Sequence, residues 1–151
     1  MKNKITNQWL IGFVDGEGCF HIGIIKSKTM KLGYQIIPEF TIVQHKRDLA
    51  LLYAIKHYFN CGIVQSNRGK KEENFNTTHA PRWCYRVRKT QDLLNIIIPF
   101  FEENPLLTTK HKDFLLFKTA MNLIKQKNHL TSKGIEEIRQ IKNLMNRNRI
   151  E

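Results

Sequence analysis

With 151 residues, 41% of them hydrophobic, the chain has the size and apolar content of one folded domain with a core of its own. Lys and Arg number 25 against 13 Asp and Glu, a net charge of +12 that points to a polyanionic partner. No apolar run reaches the roughly 18 to 20 residues of a membrane span. The start Met1-Lys2-Asn3-Lys4 has no signal-peptide pattern, and three cysteines without C-x-x-C spacing indicate neither a disulfide framework nor a zinc site, so the expectation is an intracellular protein.

The first element is the apolar run Trp9-Leu10-Ile11-Gly12-Phe13-Val14-Asp15-Gly16-Glu17-Gly18. Leu10, Phe13 and Val14 recur at helical spacing and Gly12 and Gly16 share a face, so the spacing predicts a helix at about 5–15 with a bare strip of backbone along it. Gly16 and Gly18 are expected to supply the left-handed or extended conformations that end it. Cys19 to Ile25 then alternates with the period of a strand, which puts Glu17 at a helix-to-strand corner. An acid there, in a chain built to hold polyanions, suggests a metal site aimed at a phosphodiester.

A second alternating run, Gln35 to Gln44, pairs with the first through a loop around Thr29 to Gly33. Its apolar face is Ile36, Pro38, Phe40 and Ile42; Gln35, Ile37, Glu39, Thr41 and Val43 form the other. Asp48 is placed to cap a helix carrying Leu49, Leu52, Ile55 and Phe59, stopped by Asn60-Cys61-Gly62. His57 and Cys61, four apart, read as ordinary packing rather than metal ligands. Ile63 to Arg68 and Trp83 to Arg88 read as two further strands around a long polar loop, Gly69 to Pro81, expected to order on a ligand. In the second of these strands Trp83, Tyr85 and Val87 fit either face. Thr90 is placed to cap a helix carrying Leu93, Leu94, Ile97, Ile98 and Phe101, kinked or restarted at Pro99 and ended by Pro105. Two C-terminal helices, at about 108–147, follow from Phe114, Phe117, Met121 and Ile124 and then Ile135, Ile138 and Ile141.

The run Leu10 to Gly18 resembles the signature of the LAGLIDADG homing endonucleases, with Leu10, Gly12, Asp15 and Gly18 at signature positions and Ile11 where the signature has alanine. Glu17 stands for the family's last aspartate, keeping the ligand chemistry with one more methylene. Pro105-Leu106-Leu107-Thr108-Thr109-Lys110 resembles the family's Pro-Leu-Leu-Thr-x-Lys segment, and Gln44 falls at its polar active-site position after the second strand. Where some members carry an arginine after that strand, this chain offers Arg47 or Asp48, and that role stays unassigned. The resemblance implies an α+β fold of order αββαββα, a curved four-stranded antiparallel sheet forming a saddle on DNA with helices behind it.

The same resemblance implies Glu17, Gln44 and Lys110 as catalytic residues and Gly16 and Glu17 as ligands of Mg2+, with Mn2+ or Ca2+ able to substitute for binding. Magnesium prefers hard oxygens and keeps several waters, so one carboxylate, one carbonyl and DNA phosphates make a reasonable shell. Asp15 reads as a structural hydrogen-bonding residue rather than a ligand. Base contacts are expected from His21, Ser27, Gln35, Glu39 and Thr41 on the first hairpin and from Gln65, Asn67, Arg68, Trp83 and Arg86 on the second. Lys28, Lys31, Lys70, Lys71 and Arg82 lie at strand ends and loop tips, and the lysines suit phosphates.

A single motif implies assembly, because cleaving both strands calls for two acids. The expectation is a homodimer joined through Leu10, Gly12, Phe13 and Gly16, reading a partly palindromic double-stranded site and leaving short 3′ overhangs as the family does. Double-stranded DNA is then the partner, with no membrane and no small-molecule substrate. Abundant Lys, Asn and Ile suit an AT-rich organellar intron, in a chloroplast or mitochondrion. The alternative within the same fold is a non-cleaving binder such as a group I intron maturase.

Overall fold

The computed structural model describes residues 4–67 and 81–145. Helix α1 (Asn7–Glu17) starts where the Thr6 side chain accepts from the Trp9 amide at 3.2 Å, satisfying one of the donors a helix start leaves open. It ends directly in strand β1 (Gly18–Lys26). Neither Gly16 nor Gly18 adopts positive φ; Gly16 is still helical and Gly18 is extended (φ −79°, ψ 158°). Gly18 is needed for room instead, since a Cβ there would stand 2.6 Å from Val14 Cγ1.

Strand β2 (Tyr34–His45) pairs antiparallel with β1, Gly18 opposite Ile42 and Lys26 opposite Tyr34. After a short turn comes α2 (Leu49–Phe59), then β3 (Ile63–Ser66) and β4 (Arg82–Val87). The sheet order is β1-β2-β4-β3, so the central pair is formed by β2 and β4, which a helix and a strand separate in the chain. A third helix, α3, runs through three stretches: Thr90–Asp92, a wide π turn at Leu93–Ile97, and Ile98–Glu103. The wide turn directly precedes Pro99, where a regular helix would meet a missing amide and a ring clash, so the helix passes the proline without restarting. Helices α4 (Lys110–Lys125) and α5 (Ser132–Leu144) complete the chain order expected from periodicity.

Two expected caps differ. Asp48 makes no capping hydrogen bond and pairs with Arg47 at 3.4 Å, while Thr90 is already helical and Lys89 precedes it. In the turn before α2, the His45 side chain instead accepts from the Arg47 amide at 3.0 Å.

The pleat sends Phe20 and Ile22 of β1, Phe40 and Ile42 of β2, and Tyr85 and Val87 of β4 to one side, each at most 1% exposed. There they meet Phe101 of α3 and Phe114 and Phe117 of α4, with Phe20 ring centroids 5.1 Å from Phe40 and 5.4 Å from each of the other three. Helices thus occupy one face of the sheet, and the opposite face carries the polar alternates. Burying each large side chain stabilises by roughly 1.5 to 3 kcal/mol.

Candidate active site and nucleic-acid face

Glu17 is the last residue of α1 and is exposed. It lines a recess of about 460 Å³ with Val43, Gln44, His45 and Arg82. Three residues far apart in sequence meet there because β1 leaves α1 beside the end of β2, and β2 pairs His45 with Arg82. Gln44 lies opposite Trp83, on the helix side of the sheet one pleat beyond Ile42. Sequence reasoning joined Glu17 and Gln44; it placed Arg82 at a strand end without bringing it to the acid. Arg47, the other arginine considered, has a side chain 80% exposed and is paired with Asp48 outside the recess. The antiparallel register was the missing signal.

Lys110 does not line that recess. It is 7% exposed, and its Nζ donates to the carbonyl oxygens of Val14 at 2.8 Å and Asp15 at 3.0 Å. A helix C-terminus leaves carbonyls without intrahelical donors and carries partial negative charge, so a buried ammonium is well placed there. The expected catalytic lysine is therefore brought to the helix tip that bears Glu17, but underneath it.

Asp15 ties the same tip to the approach to α4. Its carboxylate accepts from the Leu107 amide at 2.8 Å, the Thr108 amide at 3.2 Å and the Thr108 hydroxyl at 2.7 Å. Partial burial alone would raise its pKa; the Leu107 and Thr108 donors and the Lys110 charge outweigh that and hold it below the ordinary carboxylate range. The structural reading of Asp15 agrees with this geometry.

On the outer face of the sheet, register aligns His21 with Glu39, Thr41 with Arg86, Ile63 with Arg86 and Gln65 with Cys84. Gln35, Asn67 and Arg82 share this face by the pleat, Thr41 being largely covered at 8% exposure. Trp83 falls on the opposite face and packs against the core, which resolves the strand whose facing the sequence left open and removes Trp83 from the base-facing set. Ser27 bonds Thr29 at 3.0 Å within the first hairpin turn, and Lys28 and Lys31 are exposed beside it. Arg68, Lys70 and Lys71, with the polar loop that holds the last two, lie outside the described residues. Burial pushes the His21 pKa down, against the opposing pull of Glu39 beside it.

The remaining face of α1 carries Trp9, Gly12, Phe13 and Gly16. Trp9 is 43% exposed and stacks on Phe13 with centroids 4.8 Å apart. A Cβ built on Gly12 or Gly16 meets nothing within 4 Å. Leu10, expected at an interface, is instead fully buried in the core, because at helical spacing it shares the inward face with Val14; Trp9 holds the outward position.

A family model described as LAGLIDADG endonuclease matches residues 10–121. Over 127 residues, 82% of the chain, it is 41% identical to an uncharacterized 50.9 kDa protein in ND4 intron 1 of Podospora anserina. It is 37% identical over 142 residues, 93% of the chain, to the probable intron-encoded endonuclease 3 of Neurospora crassa. The chain spans about a quarter of the length of these two curated relatives. Among solved structures it resembles the homing endonuclease I-TnaI, at 41% identity and TM-score 0.83, covering 95% of this chain and 89% of that one. It also resembles the LAGLIDADG homing endonuclease I-LtrWI bound to target DNA, at 37% identity and TM-score 0.86, covering 99% of this chain and 47% of that one.

Proposed function

Because the chain belongs to the LAGLIDADG endonuclease family, we propose that it is a site-specific homing endonuclease. In this reading it cleaves both strands of a long, partly palindromic DNA site as a homodimer, by metal-dependent phosphodiester hydrolysis. The observation that carries the reading is the position of Glu17, exposed at the tip of a helix whose outward stripe of Trp9, Gly12, Phe13 and Gly16 is open for a second such helix. Two protomers joined there would hold two acids near a two-fold axis, one for each strand.

Among the described residues no three His, Cys, Asp or Glu gather to hold a metal. The donors at the tip are the Glu17 carboxylate and the Gly16 carbonyl, hard oxygens that suit Mg2+ when water and DNA phosphates complete the shell. A bound Mg2+ would supply an acidified water and neutralise developing charge. Within the protein, Gln44 orients a water by hydrogen bonding, Arg82 brings positive charge to the phosphate from the rim of the recess, and Lys110 lowers the negative potential of the helix end from beneath. None of these roles needs a strong base.

Glu17→Gln tests the reading. Cleavage of a selected target in Mg2+ should fall about a hundred- to a thousandfold, the range seen when a transition-state charge stabiliser is removed, while duplex binding persists. Full cleavage by that variant refutes the site. The mass of the protein on DNA decides whether two copies are present, and a group I intron splicing assay decides whether it acts instead as a maturase. An organellar intron, in a mitochondrion or chloroplast, is the proposed coding location, supported by relatives named for introns.

A further inference from the structure

On the outer face of the sheet one carboxylate is surrounded by cations. Glu39 Oε2 lies 2.7 Å from Arg88 Nε and 3.4 Å from Arg86 Nε, and Glu39 faces His21 across the β1–β2 pair. The Glu39 side chain is 14% exposed, whereas that of Arg88 is 51% exposed. A carboxylate so covered, with its Oε2 bonded to Arg88 and beside Arg86, is poorly exposed to a cytosine amino group. Arg86 and Arg88 also border a recess of about 320 Å³ with Gln65 of β3. Arg88, whose Nε donates to Glu39 Oε2, keeps its Nη groups for another acceptor pair, with Arg86 ion-paired beside it, and the paired acceptors on a major-groove edge are O6 and N7 of guanine.

We propose that Glu39 is a positioning residue that holds Arg88 and Arg86 toward the DNA, and that this pair makes the protein prefer guanine at one place in each half-site. The proposal rests on the DNA-binding reading above. It also replaces the expectation that Glu39 reads a base itself. The place follows from the strand: Glu39 is five residues before Gln44 on β2, about 17 Å at the rise of a strand and so about five base-pair steps from the cut.

Binding-site selection from a randomised duplex library tests it, using the full chain, in Ca2+ to capture bound DNA. Wild type should enrich a G·C pair, guanine on either strand, about four to six steps outward from the cut mapped in Mg2+. Glu39→Gln should lose at least about tenfold of that preference while the other columns stand. Arg88→Lys, which keeps the charge without the fork, should flatten the same column. This second variant keeps the proposal testable if Glu39→Gln folds poorly. An A·T pair enriched in that column, or an unchanged G·C preference in both variants, overturns the proposal alone. No enriched sequence from folded wild type overturns it together with the DNA-binding reading.

Discussion

The end of β2 and its middle are held by different physics. At the Gln44 end the motif corner is fastened by bonds to backbone: Lys110 on the Val14 and Asp15 carbonyls, and Asp15 on the Leu107 and Thr108 amides. These fix where the helix tip sits relative to α4, so Glu17 is presented from a rigid support. Farther back on β2, the Glu39 cluster is held by side chain to side chain, with Arg88 half in solvent. Such pairs reorganise at small cost, which suits a surface that must meet a ligand. A site that does chemistry is built on the first kind of contact, and a surface that discriminates can be built on the second.

The comparison predicts where stability is lost. Lys110→Met should be the most damaging of these changes, since it removes two charge-assisted bonds at a buried position, leaving the Val14 carbonyl with only the Gly18 amide and the Asp15 carbonyl without the ammonium; urea unfolding should show a loss of about 3 kcal/mol. A loss below about 1 kcal/mol would break the claim that the corner is fastened from beneath. Asp15→Asn should cost about 1 to 2 kcal/mol at neutral pH. Because the folded Asp15 pKa lies below the ordinary 3.8, its carboxylate contributes fully above pH 3.8 and the contribution fades as pH falls through the folded value. The gap between wild type and Asp15→Asn should therefore narrow only in strong acid, as pH-dependent denaturation would record.

On the other side of the comparison, Arg88→Ala should change unfolding free energy by no more than about 1 kcal/mol, the usual worth of an exposed pair. A larger loss would make the outer face as structural as the corner. The smallest stability effect is expected for Trp9→Ala, whose ring is stacked but open to solvent. Its signature is assembly: sedimentation on DNA should shift toward single copies.

Much of this was legible without coordinates. The period of two in Phe20, Ile22 and Ile24, and the helical spacing of Phe114, Phe117 and Met121, suffice for the element order, because a buried face must repeat with its own backbone period. The acid between two glycines marks the corner in the same local way. Contacts between distant segments were not legible. Trp83 points inward and Arg82 joins Glu17 because β4 pairs with β2 in one register, and a shift of one residue would exchange the two. Leu10 goes to the core and Trp9 outward because of what packs behind α1, and Lys110 ends under the helix tip rather than in the recess because the carbonyls of the last helical turn lie within its reach. Local periodicity belongs to the sequence; register, facing and the partner of each buried charge belong to the packed molecule, where non-local neighbours decide which of several sterically allowed arrangements leaves the fewest polar groups unpaired.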